Sequence, residues 1–432
     1  MRKFLKKTQF LNRTIVSRDS TYFVNLLKKR YNCVVLEFKT GKEYSTWPVP
    51  CEWNLIKAVL SKNGEIICSY SDSPLFIAPY SKSFSGTISK KQLVDHTLVN
   101  PKKPNCFSYE HRIAYDFKRR LNEWRITLPK KKLDSLKSDK YKIDIKVETK
   151  PGSLKIAEYK INGKHKDCFA FLSHYCHHAQ INDGIAGTLI MFEVINRVKK
   201  LFPNLKYTYK ALAMPERIGS SIYVTENIKN ISEYLGSAFC EMGGAKSPLQ
   251  MVFSKRGNTY IDRVFEHLID RYQNGKARKV PFRKGWGNDE LVFDSPGIGI
   301  PSVSIDRYPF DQYHTNEDNI ENFSESKAEE VIDLFVDAVK IFEEDFIPKP
   351  IHKVPFYLTR YDLYSDWTYE RETYDKKMLL LDSMWEGLTV FDVAVKYNLN
   401  YDFVKSFFKS LLKNKLIGSE IVTSNYTRKK TL

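Results

Sequence analysis

The chain contains 432 residues, of which 42% are hydrophobic and 14% aromatic, values typical of a globular protein with two or three domains. It has no run of about 18 apolar residues, so we expect no transmembrane helix and no membrane partner. The basic N-terminus MRKFLKKTQFLNRT lacks the apolar stretch of a signal peptide. The net charge of +18 comes from lysines scattered along the chain, a pattern that disfavours nucleic acid as a partner.

The cysteines indicate the compartment in which the protein works. Seven are present, an odd number, and they are widely spaced. This usage favours reduced thiols and therefore a cytoplasmic location. The chain has no CxxC pair, which argues against a structural zinc ribbon.

Residues 1–43 and 44–105 differ in character. The first range contains a helical pattern, TYFVNLLKKRY. The second consists of short alternating runs separated by Asn-Gly, Ser-Pro and Ser-Gly, which are hairpin and turn signals. We therefore predict that 44–105 form a small β-rich domain inserted into a larger one.

The larger domain is predicted to comprise residues 1–43 and 106–348. After a helical pattern, YDFKRRLNEWRI, strand-like runs appear at YKIDIKVET, GSLKIAEYKI, CFAFLS, KYTYKALAM and YLGSAFCEMGG. Helical patterns follow several of these strands, as in IAGTLIMFEVI, YIDRVFEHLIDRYQN and SKAEEVIDLFVDAVKIFEEDF. This alternation predicts an α/β domain with a mainly parallel sheet and helices on both faces.

Residues 349–432 form a third unit in this interpretation. The segment IPKPIHKVP is typical of a linker, and three helical patterns follow, with Thr389 and Asn400 as candidate caps. Such an arrangement is typical of a winged-helix module. Its third helix, YDFVKSFFKSLLKNKL, carries no arginine for reading bases, so packing on the main domain is preferred over DNA binding.

Five side chains with metal or acid–base chemistry lie at or just beyond predicted strand ends. They are His174, Asp183, Glu216, Glu241 and His314. Active sites of α/β sheets form at the carboxyl ends of the strands, so we expect these side chains to converge. Imidazoles and carboxylates are the ligands of hydrolytic zinc sites. Glu216 is the candidate general base for a water activated by the metal, and the other four are candidate ligands.

Several residues in this region could instead serve a different role. Asp183 could cap the helix that begins at Gly184, which is a common role of aspartate. His177 is an alternative ligand to His174, or a residue that supports a ligand. Cys176 next to His177 could act as a nucleophile, but sequence neighbours rarely adopt the required geometry.

Motifs along nearly the whole chain resemble a bacterial zinc-aminopeptidase-like family related to metallo-aminopeptidases and glutaminyl cyclases. They are WPVPCEWNLIKA, LFIAPYSKSFSGTISKKQL, SHYCHHAQINDGIAG, PERIGS, GNDELVFDSPGIGIPS and YHTNEDN. The resemblance implies a phosphorylase/hydrolase-like mixed sheet flanked by helices, the small inserted β-rich domain and a C-terminal winged helix. It implies His174, Asp183 and His314 as ligands, with Glu241 as the candidate acidic ligand and Glu216 as the base.

One position bears on the number of metal ions. The related peptidases carry two adjacent glutamates, and Arg217 occupies the second position here. Arginine cannot bind zinc, so one zinc ion is expected, with two as the alternative.

The function predicted from these observations is hydrolysis of an amide or peptide bond in a small substrate. One alternative is an amidase or deacylase acting on a surface-polysaccharide precursor, and another is a DNA-binding regulator whose hydrolase-like domain senses a ligand. Asp289, Tyr313 and Arg307 lie near the motifs and are candidate substrate contacts. A homo-oligomer is compatible with the sequence.

Overall fold

The structure is a computed structural model that describes residues 1–111 and 123–429. Most of the helix predicted at YDFKRRLNEWRI therefore lies outside the described residues. The strands, in chain order, are β1 (Val34–Lys39), β2 (Glu43–Tyr44), β3 (Trp47–Pro48), β4 (Glu52–Lys62), β5 (Glu65–Ser69), β6 (Phe84–Ser89), β7 (Thr97–Leu98), β8 (Ile126–Thr127), β9 (Lys140–Lys150), β10 (Ser153–Ile161), β11 (Cys168–His174), β12 (Thr208–Met214), β13 (Tyr234–Cys240), β14 (Leu249–Val252), β15 (Arg278–Val280), β16 (Ser302–Arg307), β17 (Ile347–Pro350) and β18 (Ile417–Glu420). The α-helices are α1 (Arg2–Thr8), α2 (Arg18–Tyr31), α3 (Lys90–Asp95), α4 (Lys130–Asp134), α5 (Gly187–Leu201), α6 (Ile218–Glu226), α7 (Tyr260–Tyr272), α8 (Glu290–Phe293), α9 (Glu325–Glu344), α10 (Arg371–Ser383), α11 (Val390–Lys396), α12 (Tyr401–Lys413) and α13 (Ser424–Thr427).

The main sheet has eight strands in the order β1-β10-β12-β11-β13-β16-β14-β15. Its central strands β12, β11, β13 and β16 are parallel. Antiparallel pairs lie on both sides of them, with β10 against β12 and β14 against β16. The α/β class and the mixed sheet are confirmed.

Strand β11 shows why helices cover both faces of this sheet. Every residue of β11 is buried, which explains its continuous apolar run. Phe169 and Phe171 face one core, which also contains α5, α7 and α9, whereas Ala170 and Leu172 face a second core with α6 and α8. Alternate residues of a strand point to opposite faces, so both faces need a covering layer.

The small β-rich unit includes strand β9, which lies beyond residue 105. Its four-stranded sheet has the order β5-β4-β9-β6, and its inner strand β9 comes from residues that the sequence assigned to the larger domain. Tyr141, Ile143 and Ile145 of β9 are buried in the core of this small unit. The strand pattern was correctly predicted, but a period-two pattern does not identify the sheet in which a strand pairs.

The C-terminal residues build a separate hydrophobic core from α10, α11 and α12. The predicted caps are confirmed: Thr389 accepts from the amide of Asp392, and Asn400 accepts from that of Phe403. The predicted linker begins instead as strand β17, which pairs antiparallel with β18. The winged-helix assignment stays a prediction.

Two further observations concern the whole chain. The seven cysteines all lie within the described residues, and none of them forms a disulfide bond there. Among the helices of residues 1–111 and 123–429, none has the length and apolar character needed to cross a membrane.

Candidate metal centre and active site

The predicted site residues meet at the carboxyl edge of the central parallel strands. His174 is the last residue of β11, Glu216 follows β12 by two residues, and Glu241 follows β13 directly. Asp183 lies in the turn before α5, and His314 lies in the loop after β16. The expected convergence is therefore found.

One group of three ligand-type side chains consists of His174, Asp183 and Glu241. The Nε2 atom of His174 lies 3.1 Å from Oε2 of Glu241 and 3.7 Å from Oδ1 of Asp183. All three residues are buried. Asn288 donates from Nδ2 to Oε1 of Glu241 at 2.5 Å, and the hydroxyl of Thr188 donates to the carbonyl of His174, so both residues are held in place.

A second group shares Asp183 and adds His177 and His314. The Nε2 atom of His314 lies 3.1 Å from Oδ2 of Asp183. A third group consists of His174, Cys176 and His177. In each group the possible ligand atoms lie within 4.8 Å of one another.

The backbone around Asp183 explains its orientation. Asp183 has φ −82° and ψ 71°, and Gly184 has φ 147°, a conformation that a side chain would strain. The amides of Asn182 and Asp183 donate to the carboxylate of Asp318, each at 2.8 Å. Helix α5 receives no side-chain cap from Asp183, so its carboxylate is directed to the histidines and the capping alternative is wrong.

Glu216 sits on a tightly held turn. Its amide donates to Sγ of Cys176 at 3.2 Å, and the next residue, Arg217, has φ 62°. The amide of Arg217 and the hydroxyl of Ser220 both donate to Oδ1 of Asp289. The carboxylate of Glu216 lies 3.6 Å from Nε2 of His177, which places it beside the ligand groups.

The electrostatic environment of Glu216 suits a base that works near neutral pH. Burial raises its pKa to about 7; the charge of His174 opposes the rise, and the charges of Asp289 and Glu241 add to it. Burial also raises the pKa of Glu241. For Asp183 burial acts in the same direction, but the charges of His177 and His314 outweigh it and lower the pKa.

Aromatic and histidine side chains line the site, and three of them, Tyr109, His111 and Trp286, were not singled out from the sequence. The ring of Tyr313 stacks on His314, with 3.8 Å between centroids, and on Trp286, with 4.7 Å. The ring of Tyr109 packs on that of His177, with 4.6 Å between centroids. The backbone amide of Tyr109 donates to the carbonyl of His314. The ring centroids of His111 and His314 lie 5.5 Å apart. No sequence motif marks residues 109 and 111. Their approach to the site depends on the path of the chain between the two sheets, which the sequence does not show.

The structure revises one of the candidate substrate contacts. Arg307 is fully buried, and its guanidinium donates to the carbonyls of Gly243, Ser247 and Lys327. Arg307 therefore stabilises the loop after β13 and has no surface for a substrate. Asp289 supports the Glu216 turn, whereas Tyr313 is 37% exposed beside His314. Contact of either with substrate stays a prediction.

The residues present fit a zinc ion. Imidazole and carboxylate are the nitrogen and oxygen ligands that zinc prefers. Oδ2 of Asp183 and Nε2 of His314 are buried, and among the described residues neither has a hydrogen-bond partner of acceptable geometry. Unpaired buried polar atoms cost free energy, and a cation between them removes that cost.

The fold is that of the aminopeptidase-like α/β class. A zinc aminopeptidase from Bacillus subtilis superposes with a TM-score of 0.55 at 16% identity, covering 78% of this chain and 94% of that one. A crystal structure of a provisionally assigned peptidase from Clostridium acetobutylicum superposes with a TM-score of 0.83 at 22% identity, covering 97% and 96% of the two chains.

Sequence comparison identifies the family to which the chain belongs. The family described as "Domain of unknown function (DUF4910)" matches residues 3–345, and the chain belongs to it. A Clostridium acetobutylicum protein, provisionally named as a polysaccharide biosynthesis protein with aminopeptidase-like domain, is 29% identical over 314 residues. That match covers 71% of this chain and 69% of the relative.

Proposed function

We propose that the protein is a zinc-dependent hydrolase that cleaves an amide or peptide bond, with Glu216 as the general base. One observation carries the proposal: the carboxylate of Glu216, with its raised pKa, lies against a buried set of histidine and carboxylate ligands. The aminopeptidase-like fold agrees with it.

His174, Asp183, Glu241 and His314 are the residues that would hold zinc. Zinc in such a site polarises the carbonyl of the substrate and makes a bound water more acidic. The contacts of Asn288 and Thr188 keep Glu241 and His174 in position, so little reorganisation is needed when the ion binds.

Glu216 would accept a proton from the attacking water and pass it to the leaving amine. A carboxylate with a pKa of about 7 can both accept and release a proton near neutral pH. The bonds to Cys176 and Asp289 hold the turn that carries Glu216, so its distance to the ligand groups is well defined.

Tyr313 and Trp286 form a stacked aromatic surface next to His314. We assign substrate binding to Tyr313, because its ring is partly exposed at the edge of the ligand set. Such a surface can pack against an apolar side chain or the face of a sugar ring. A second candidate function follows: an amidase or deacylase acting on a polysaccharide precursor, which the name of the Clostridium acetobutylicum relative favours.

Replacing Glu216 tests the proposal. We expect Glu216→Gln to lower kcat about 10²- to 10⁴-fold because the glutamine cannot accept the proton, while zinc content is unchanged. The measurement compares zinc-loaded wild type and variant on aminoacyl-nitroanilides and on N-acylated amino sugars, so the preferred panel separates the two substrate classes.

The matched control is Glu226→Gln, the same substitution on an exposed residue at the end of α6. It should leave kcat unchanged. Full activity in Glu216→Gln, or no turnover of either panel by the zinc-loaded wild type, would contradict the proposal.

A further inference from the structure

We infer that the substrate of the proposed hydrolase carries an anionic group, a phosphate or a carboxylate, and that Arg278 binds this group. Between Arg278 and the ligand set lies an aromatic row formed by Tyr313, Trp286 and Tyr308. The inference rests on the proposed function, because it takes the groups beside His314 as the place where the bond is cleaved.

The first argument is that the sheet brings Arg278 to the edge at which the site lies. Strand β14 runs antiparallel to β16, so it begins at the edge where β16 ends, and Leu249 pairs with Arg307 there. Strand β15 is parallel to β14 and begins at the same edge, with Arg278 opposite Gln250. Arg278 therefore lies on the side of the sheet that carries the ligand groups.

The second argument is that ring contacts run without a break from His314 to Arg278. Tyr313 stacks on both His314 and Trp286. The ring centroids of Trp286 and Tyr308 lie 5.9 Å apart, and the guanidinium carbon of Arg278 lies 4.0 Å from the centroid of Tyr308. Tyr313 and Tyr308 are each 37% exposed. A ligand that reaches both the ligand groups and the guanidinium can therefore pack along the aromatic row.

The third argument is that the guanidinium of Arg278 is available to a ligand. The residue is exposed, and it forms no ion pair with any residue of 1–111 or 123–429. The carboxylate of Asp306 lies near it, but this carboxylate is buried and accepts from Gln250 and Ser304. Tyr308 covers one face of the planar guanidinium, which leaves its in-plane N–H groups for two oxygens of a carboxylate or phosphate.

The charge of the surrounding chain also favours an anion. Residues 271–288 contain six cationic side chains and no carboxylate. The six are Arg271, Lys276, Arg278, Lys279, Arg283 and Lys284. Arg271 and Lys279 form ion pairs, whereas the other four form none within the described part of the chain. The same segment contains Trp286, so this concentration of positive charge lies beside the aromatic row and attracts an anionic ligand more than a neutral one.

Calorimetric titration with matched probes tests the inference. The probes are N-acetylglucosamine 6-phosphate, N-acetylmuramic acid, which carries a carboxylate, and the neutral N-acetylglucosamine. We expect the wild type to bind at least one anionic probe about 10- to 100-fold more tightly than the neutral one, the gain typical of hydrogen bonds to a charged group. The two anionic probes separate recognition of phosphate from recognition of carboxylate.

Zinc itself attracts anions, so each titration is carried out on the zinc-loaded and on the metal-free full chain. The preference for an anionic probe should be present in both, because Arg278 belongs to none of the ligand groups found among the described residues. A preference confined to the zinc-loaded protein would place the anion on the metal and refute the inference.

Arg278→Gln should abolish the preference and leave the zinc content unchanged. Arg278→Met is the second variant, because its unbranched apolar side chain can still pack on Tyr308, and circular dichroism checks the folding of both. The matched control is Arg360→Gln. Arg360 is also exposed and lies over a tyrosine, 5.8 Å from the ring centroid of Tyr361, but in the C-terminal module. This control lowers the net charge equally and should retain the preference.

Equal affinity of the wild type for all three probes, or a preference that persists in both Arg278 variants, would overturn the inference. An equal loss in Arg360→Gln would do the same, because it would assign the preference to net charge. Binding is measured without turnover, so the outcome is separable from that of the proposed function. A hydrolase without the preference defeats only this inference, and a protein with the preference but without hydrolysis defeats only the proposed function.

Discussion

Asp183 and the start of α5 show how single residues determine the geometry of the site. Gly187, the first residue of α5, lies so close to the end of β13 that a Cβ atom there would be 2.2 Å from the carbonyl oxygen of Cys240. Cys240 directly precedes Glu241. The separation between Asp183 and Glu241 therefore depends on a close backbone contact that only glycine permits.

We predict that Gly187→Ala destabilises the protein by about 1–3 kcal/mol, because two backbone segments must move apart to accept the methyl group. It should also weaken zinc binding, since Glu241 moves with the end of β13. Helix propensity alone favours alanine by about 1 kcal/mol, so a loss of stability isolates the steric effect. Urea unfolding and competition with a chelator measure the two effects.

Gly297→Ala is the control for this substitution. Gly297 is exposed, and no described atom lies within 4 Å of the position that its Cβ atom would take. The urea midpoint and zinc affinity of this variant should match those of the wild type. Equal behaviour of the two variants would show that the contact between α5 and β13 does not control the site.

For single residues, the sequence predicted which side chains could bind a metal better than it predicted what surrounds each side chain. His174, Asp183 and Glu241 could be found because each follows a strand or the turn beyond it. Arg307 was chosen as a candidate substrate contact because it also lies near these motifs. Its guanidinium, however, donates to backbone carbonyls. His177 stayed ambiguous, because spacing along the chain does not show which ring turns towards Asp183.

Packing between helices connects the C-terminal module to the main body. Arg263 of α7 donates from Nε and Nη2 to the two carboxylate oxygens of Asp392 in α11, at 2.7 and 2.6 Å. Both side chains are buried. Arg263→Ala leaves the buried carboxylate of Asp392 with the hydroxyl of Tyr426 but without its cation, so we predict that this variant destabilises the protein by about 3–5 kcal/mol, measured by urea unfolding.

Arg271→Ala is the matched comparison, because Arg271 lies on the same helix and pairs with Asp337 at an exposed position. The expected change there is about 1 kcal/mol or less. Similar losses in both variants would mean that burial of the Arg263 pair adds nothing to docking of the module.

The elements themselves were largely predictable, and their partners were not. Apolar periodicity located β9, β10, β11, β12 and β13, and polar residues before the helices located the caps of α11 and α12. The pairing of β9 with β4 and β6 joins segments that are far apart in sequence. No local pattern encodes such a partner, so the sequence did not show that β9 pairs with strands of residues 44–105.

At the scale of the whole molecule, the position of the site followed from topology. Parallel strands end at one edge of the sheet, so residues after β11, β12 and β13 must approach one another once the strands are adjacent. That general rule sufficed to predict the convergence of His174, Glu216 and Glu241. It could not predict Tyr109 and His111, which lie in the connection between β7 and β8.

The junction between the main body and the C-terminal module carries a titratable group. Asp345 follows α9, and its carboxylate accepts from the amide of Phe391 at 2.9 Å and from the hydroxyl of Tyr260 at 2.8 Å. Burial raises the pKa of Asp345 to about 6; the amide of Phe391 opposes this, and the charge of Asp392 adds to it. The ionised form is therefore disfavoured where the two parts meet.

The raised pKa of Asp345 determines how the stability of the protein changes with pH. Because the folded protein holds the proton of Asp345 more tightly than the unfolded chain, its contribution to stability is complete below pH 3.8 and is lost as the pH rises through about 6. The rise from 3.8 to about 6 corresponds to at most roughly 3 kcal/mol.

Asparagine cannot ionise, but its amide can still accept from Phe391 and donate to Tyr260. We therefore predict that the urea midpoint of Asp345→Asn, compared with that of the wild type at equal ionic strength, increases between pH 4 and pH 7. A difference that stays constant over this range would show that Asp345 does not titrate in the junction.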